Sequence, residues 1–140
     1  MRFWDTSAVV PLLVREPRTA RARELLELDA ELVVWWGTPV ECGSTLSRRA
    51  REGALDRAVE DAAAARLDVL RAAWYEILPT EQVRNSARRL LRLHPLRATD
   101  ALQLAAALVW ASGEEGTEFV SADTRLCDAA RLEGLAVVRL

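Results

Sequence analysis

Short apolar, β-prone runs alternate with longer amphipathic runs along the whole chain. The run at 32–36 is apolar throughout, which is typical of a central parallel strand covered on both faces. The longer runs place apolar residues at helical spacing. Predicted strands cover 2–5, 32–36, 75–78, 118–121 and 135–139, and predicted helices cover 6–13, 18–28, 38–53, 55–74, 79–93, 101–110 and 123–132. This alternation predicts an α/β fold with a mostly parallel sheet and right-handed crossovers.

Acidic residues lie at the starts of four of the predicted helices. One of them ends the first strand and is followed by two hydroxyl residues, Thr6 and Ser7. The other three lie at helix starts. Ligands bind at the C-terminal ends of strands in open parallel sheets, near the point where the chain reverses direction. The candidates for a shared site are therefore Asp5, Glu41, Asp100 and Asp123.

Each acid also has an ordinary structural interpretation. Thr38 and Glu41 have the spacing of a capping box, with Thr38 as N-cap and Glu41 at the third helical position. Asp5 and Asp123 are possible N-caps, and Asp100 would favour the positive end of a helix dipole. Such contacts stabilise helix ends by roughly 0.3–2 kcal/mol.

Convergence of all four acids would weaken that interpretation. At separations of about 5 Å and an effective dielectric constant of about 20, each pair repels by about 3 kcal/mol. A cluster of that kind needs a cation or raised carboxyl pKa values. Oxygen ligands alone select Mg²⁺ or Mn²⁺ rather than zinc. Carboxylates that hold such an ion at a sheet edge are what metal-assisted phosphodiester hydrolysis requires.

Composition excludes several other kinds of site. The chain has 140 residues without a linker or repeat, so we expect one domain, residues 1–140. All 19 basic residues are Arg, which excludes a P-loop and lysine-based covalent chemistry. His94 is the only His, so a multi-histidine zinc site is excluded.

The sequence shows no signal sequence and no apolar run long enough to span a bilayer. We therefore expect a cytoplasmic protein that does not enter the membrane, with Cys42 and Cys127 as reduced thiols.

Four short motifs occur in a fixed order, and together they resemble the PIN domain, specifically the VapC-like ribonuclease toxins of bacterial toxin–antitoxin pairs. The resemblance covers essentially the whole chain. It implies a five-stranded parallel sheet sandwiched by helices, and an endoribonuclease that depends on Mg²⁺ or Mn²⁺. It also implies a homodimer and a small cognate antitoxin that blocks the groove in which the acids lie. The motifs are Asp5-Thr6-Ser7, Val40-Glu41, Thr99-Asp100-Ala101-Leu102-Gln103-Leu104-Ala105 and Phe119-Val120-Ser121-Ala122-Asp123-Thr124-Arg125-Leu126.

The resemblance also implies roles for individual residues. Asp5 and Asp100 match the principal metal-ligand positions, and Glu41 matches an acid that binds metal or positions the nucleophilic water. Asp123 matches a fourth acid that often reaches the metal through water. Thr6 or Ser7 matches the hydroxyl that orients the first acid. The chain departs from many relatives at Gln103, where they carry His, and we expect this position to be peripheral to the acids.

Other interpretations stay open at this point. A catalytically idle PIN-like module that binds RNA or protein would carry the same acids. A Mg²⁺-dependent phosphoacceptor domain is disfavoured, because such domains resemble one another in having a Lys late in the sequence and this chain has no Lys. A phosphatase of the haloacid-dehalogenase type is disfavoured as well, because Ser7 stands where such phosphatases need a second Asp. Arg48, Arg49 and Arg51 on the helix that Glu41 opens either form a solvated face or track an RNA backbone.

Overall fold

The computed structural model describes residues 1–140 and contains five strands and seven helices. The strands are β1 (Arg2–Trp4), β2 (Leu32–Trp35), β3 (Tyr75–Ile77), β4 (Glu118–Ser121) and β5 (Ala136–Arg139). The helices are α1 (Thr6–Leu13), α2 (Thr19–Leu28), α3 (Thr38–Arg51), α4 (Arg57–Arg71), α5 (Glu81–Leu93), α6 (Ala98–Ala111) and α7 (Thr124–Leu132). The predicted α/β class and the order of elements are confirmed.

All strands pair in parallel, in the spatial order β3-β2-β1-β4-β5. From the central strand β1 the chain first builds the sheet in one direction, through β2 and β3. It then crosses to the other side of β1 and adds β4 and β5. The sheet therefore has its topological switch point between β1 and β4, and the C-terminal ends of these two strands flank it.

Helices cover both faces of the sheet, and alternating strand residues point to opposite faces. Val33 and Trp35 pack in a core with α5, α6 and α7, whereas Leu32 and Val34 pack in a second core with α1 to α4. All four residues of β2 are buried, as predicted for a central strand. Both cysteines are free and buried. No helix has the length and apolar character that a membrane crossing requires.

The predicted bounds of α4 and the predicted N-cap of α3 are wrong. The helix predicted over 55–74 is shorter, because Asp56 caps its N-terminus through the backbone N–H of Val59, and the helix ends at Arg71. The predicted N-cap Thr38 lies instead inside α3, whose N-cap is Gly37. Thr38 is fully buried, and its hydroxyl accepts a hydrogen bond from a side chain of another helix. Because Thr38 is not the N-cap, Glu41 does not complete a capping box with it.

Candidate functional site

A cleft of about 410 Å³ opens at the C-terminal edge of the sheet, beside the switch point. The structure brings all four predicted acids and both predicted hydroxyl residues to it. Arginines from α3 and from the connection between α1 and α2 line its other end. The lining residues are Asp5, Thr6, Ser7, Val10, Glu16, Arg18, Glu41, Thr45, Arg48, Arg49, Asp100, Gln103, Ala122 and Asp123.

Asp5 is the most buried of the four acids, with 4% of its surface exposed. It follows the central strand, and its carboxylate accepts hydrogen bonds from the hydroxyl of Ser7 at 2.8 Å and the backbone N–H of Ala8 at 3.3 Å. Burial raises the pKa of Asp5 to about 7, although the donors on Ser7, Ser121 and Ala8 act to lower it. No cationic side chain pairs with Asp5, so its negative charge has no counter-charge within the protein.

Ser7 links Asp5 to the turn that carries Asp123. Its hydroxyl oxygen accepts a hydrogen bond from the backbone N–H of Ala122 at 2.8 Å and lies 3.3 Å from the Ser121 hydroxyl. The Ser121 hydroxyl in turn accepts from the backbone N–H of Asp123 at 3.0 Å. These contacts cross the switch point and fix the ends of β1 and β4 relative to each other. Ser7 is therefore the hydroxyl that orients the first acid.

Thr6 serves a different acid. Its hydroxyl donates to Glu41 Oε2 at 2.9 Å, and Gln103 Nε2 lies 2.7 Å from the Thr6 hydroxyl and 3.1 Å from Glu41 Oε2. The same amide nitrogen is 3.2 Å from the hydroxyl of Thr38. One buried amide group thus holds side chains from α1 and from the start of α3.

The expectation that Gln103 is peripheral is wrong. Only 2% of its surface is exposed, and its side chain contacts Glu41 directly. Its Oε1 atom is buried without a hydrogen-bond partner, an uncommon arrangement that costs free energy. A signal for this position exists in the sequence, because Gln103 is the one polar residue in the apolar run 101–111, one helical turn after Asp100.

The capping-box interpretation of Glu41 is also wrong. Because Gly37 is the N-cap, Glu41 lies beyond the position from which a capping-box carboxylate would reach back. Its carboxylate accepts from Thr6 and Gln103 instead. Burial raises the pKa of Glu41, the two donors lower it, and the negative charge of Asp100 adds a smaller upward contribution. The sequence of α3 therefore delivers this carboxylate to the cleft rather than to its own helix end.

Capping and cleft lining coexist at the other acids. Asp123 is the N-cap of α7 and accepts from the backbone N–H of Leu126 at 2.9 Å. Asp100 lies in the first turn of α6 and accepts from the backbone N–H of Arg97 at 3.1 Å. One carboxylate oxygen of each aspartate is therefore engaged by backbone. This engagement sets the direction of the side chain, and the second oxygen of each carboxylate is left without a protein donor.

The acids do not form the tight cluster in which all pairs would repel strongly. No three His, Cys, Asp or Glu side chains form a group that could hold a metal ion as they stand. The charge of another acid is not among the causes of the raised pKa of Asp5. The acids line one cleft without forming such a group.

The residues nevertheless fit a hard divalent cation. Mg²⁺ keeps several waters and is commonly held by one or two carboxylates, so a preformed group of three is not required. The chain makes ten ion pairs, and none of them includes Asp5, Glu41, Asp100 or Asp123. Four carboxylates without a cationic partner, one of them deeply buried, form an oxygen-only donor set that suits Mg²⁺ or Mn²⁺.

Comparisons with known proteins show the fold and the family of this chain. Three solved structures share the fold: a toxin–antitoxin complex from Klebsiella pneumoniae (15% identity, 100% of both chains covered, TM-score 0.69), PAE2754 from Pyrobaculum aerophilum (20% identity, 98% of this chain and 88% of that chain, TM-score 0.68) and FitAcB from Neisseria gonorrhoeae (16% identity, 99% of this chain and 97% of that chain, TM-score 0.69). No curated protein matches the chain significantly by sequence. The sequence model described as "PIN domain" matches residues 2–132. The match covers nearly the whole chain, and this protein belongs to the PIN-domain family.

Proposed function

We propose that this protein is an endoribonuclease that depends on Mg²⁺ or Mn²⁺ and acts as the toxin of a toxin–antitoxin pair. PIN domains are generally nucleases. The observation that carries the proposal is the set of four acids without cationic partners that line one cleft at the switch point of the sheet. The toxin assignment is supported by the similarity of fold to the toxin–antitoxin complex from Klebsiella pneumoniae.

In this proposal Asp5 and Asp100 hold the metal ion, with Glu41 and Asp123 completing its surroundings. When bound, the ion supplies an activated water and offsets negative charge on the scissile phosphate. Ser7 orients the carboxylate of Asp5 through the 2.8 Å hydrogen bond.

In the same proposal Glu41 accepts a proton from the attacking water. Its Oε2 atom is engaged by Thr6 and Gln103, whereas its Oε1 atom has no protein donor. Burial raises the pKa of this carboxyl, which makes it a stronger base than an exposed glutamate. Thr6 and Gln103 act as positioning residues for this step.

The direct test is cleavage of a labelled RNA pool by purified protein with Mg²⁺ or Mn²⁺. We expect EDTA to abolish cleavage and Asp100→Asn to reduce it by about 10³-fold, since loss of a metal ligand removes several kcal/mol of charge stabilisation. Asp128→Asn is the matched control, because Asp128 is exposed on α7 outside the cleft and should leave cleavage unchanged. Cleavage that persists in EDTA or in Asp100→Asn contradicts the proposal. Binding of Mn²⁺ without cleavage of any RNA would support the idle module instead.

An apolar groove between α2 and α4 suits the proposed antitoxin. It has a volume of about 350 Å³ and is lined by Leu12, Arg23, Leu26, Ala65, Arg66, Val69 and Leu70. An amphipathic helix with acidic flanks matches such a surface in polarity and charge.

Expression of the protein alone should arrest growth, and co-expression of a short neighbouring reading frame should relieve the arrest. The homodimer and the cytoplasmic location implied by the sequence stay predictions.

A further inference from the structure

The cleft that holds the acids has a basic end. Arg18, Arg48 and Arg49 line it together with Glu16. Glu16 Oε2 accepts from Arg49 Nη1 at 3.0 Å, and Glu16 Oε1 lies 3.9 Å from Arg18 Nη1. Arg48 makes neither an ion pair nor a side-chain hydrogen bond. Its guanidinium is therefore the free cation of this wall, which we call the arginine wall and define as Arg18, Arg48 and Arg49.

One face of α3 connects the two ends of the cleft. Glu41, Thr45 and Arg48 are spaced by four and three residues, so they lie one above the other on the same side of the helix. At 1.5 Å of rise per residue, the backbone of Arg48 lies about 10 Å along the helix axis from that of Glu41. The cleft wall thus changes from acidic to basic within two helical turns.

The charge pattern suits a polyanion better than a single small anion. The protein has a net charge of −2, and the acidic end of the cleft by itself repels phosphate. A strand that places one phosphate near the acids needs cations under its neighbouring phosphates. Guanidinium groups bind phosphate oxygens in a bidentate manner and keep their charge at any working pH.

We propose that the arginine wall, and Arg48 above all, binds a backbone phosphate of single-stranded RNA that neighbours the scissile phosphate. The strand runs along the Glu41–Arg48 face of α3. This inference rests on the proposed function, because it takes the acids as the cleavage site. It also selects among the arginines of α3: Arg48 and Arg51 are both exposed, but Arg48 lines the cleft and Arg51 does not.

The test measures RNA binding without cleavage. The probe is a fluorescein-labelled oligouridine, and its affinity for Asp100→Asn protein is measured by fluorescence anisotropy over a range of KCl concentrations. Adding Arg48→Ala should reduce the slope of log K against log salt by about 0.7, with about fivefold weaker binding at about 0.1 M salt. Adding Arg51→Ala, the control on the same helix with the same change of charge, should leave the slope unchanged.

Two results overturn the inference. One is an equal salt slope for the Arg48→Ala and Arg51→Ala proteins. The other is binding of a labelled polyglutamate peptide that depends on Arg48 while RNA binding does not, which would assign the wall to an acidic protein partner. A separate cleavage assay on protein with an intact Asp100 distinguishes this failure from that of the proposed function. Cleavage together with Arg48-independent binding overturns only the inference. Arg48-dependent binding without any cleavage overturns the nuclease proposal and, with it, the assignment of the bound phosphate as a neighbour of a scissile phosphate.

Discussion

The two ends of the cleft are built in different ways. At the acidic end, Asp5 follows a strand, Asp100 lies in a first helical turn and Asp123 caps a helix. Each of these carboxylates accepts a hydrogen bond from a backbone N–H group. At the basic end, long arginine side chains come from the later turns of α3 and from the α1–α2 connection. Their only protein partner in the cleft is one glutamate, Glu16.

The difference fits the roles proposed for the two ends. Metal binding and proton transfer need groups held in one geometry, which buried hydrogen bonds provide. Phosphate contacts position a flexible strand and tolerate mobile side chains. A change at the acidic end should therefore have a large effect on stability or turnover. A change at the basic end should have a small effect on affinity.

The largest effect is expected at Asp5. Its pKa is raised to about 7, so the folded protein without metal keeps a proton there that the unfolded chain releases near its ordinary value of 3.8. The stability from this site is present at low pH and is lost as pH rises toward 7. In EDTA we expect the free energy of unfolding to fall by about 3 kcal/mol between about pH 5 and pH 8, as measured by urea denaturation.

Asp5→Asn removes the titrating group while keeping an amide oxygen for Ser7 and Ala8. Its stability should change much less over the same pH interval, whereas the Asp128→Asn control should follow the unmodified protein. Added Mg²⁺ should reverse the loss in the unmodified protein, because the ion binds the ionised carboxylate of the folded state. Identical pH profiles for Asp5→Asn and the unmodified protein would show that Asp5 does not titrate in this way.

An intermediate effect is expected at Gln103. Gln103→Glu preserves the shape of the side chain but replaces the amide donor with a second negative charge beside Glu41. We expect kcat for RNA cleavage to fall by about 10- to 100-fold, the usual cost of losing a group that orients a metal-site residue, with little change in KM. Gln103→His restores a ring N–H donor and should recover part of this loss.

Gln82→Glu, at an exposed position on α5, makes the same chemical change away from the cleft and serves as the control. Circular dichroism should show that both variants fold. Full turnover by a folded Gln103→Glu protein would mean that the contact with Glu41 has no catalytic consequence.

The smallest effect is expected at Glu16. Glu16→Gln releases Arg49 from its 3.0 Å ion pair and removes one negative charge from the basic end. RNA affinity should rise by about twofold, in line with the modest strength of partly exposed ion pairs. Glu24→Gln, which breaks the exposed pair with Arg21 outside the cleft, should leave affinity unchanged. Weaker RNA binding by Glu16→Gln would place the strand elsewhere.

The sequence was informative wherever topology decides position. Asp5 and Asp123 follow the two strands that flank the switch point, so parallel pairing alone brings them to one edge. The alternating apolar runs specify that pairing, and the order and class of the elements could therefore be predicted. The family resemblance could also be recognised from the sequence, because its four motifs carry these acids in order along the chain.

The remaining features depend on contacts between distant helices. Gln103 reaches Thr6 and Thr38 across the ends of three helices, and no local pattern indicates that convergence. Thr38 looked like an N-cap because its spacing to Glu41 fits a capping box, but Gly37 takes that position and leaves both side chains free for tertiary contacts. Glu16 and Arg49 are 33 positions apart in the chain, and no local pattern indicates their ion pair, although the sequence already makes Arg48 and Arg49 candidates for contact with an RNA backbone.

The proposed function requires that the unpaired acids of the cleft hold a divalent ion. The most direct measurement is a crystal grown with Mn²⁺ and read by anomalous scattering. We expect a strong anomalous peak in the cleft, coordinated by Asp5 and Asp100, and its loss in Asp100→Asn crystals grown under the same conditions. A cleft without a peak at saturating Mn²⁺, or a peak that contacts neither aspartate, would contradict it.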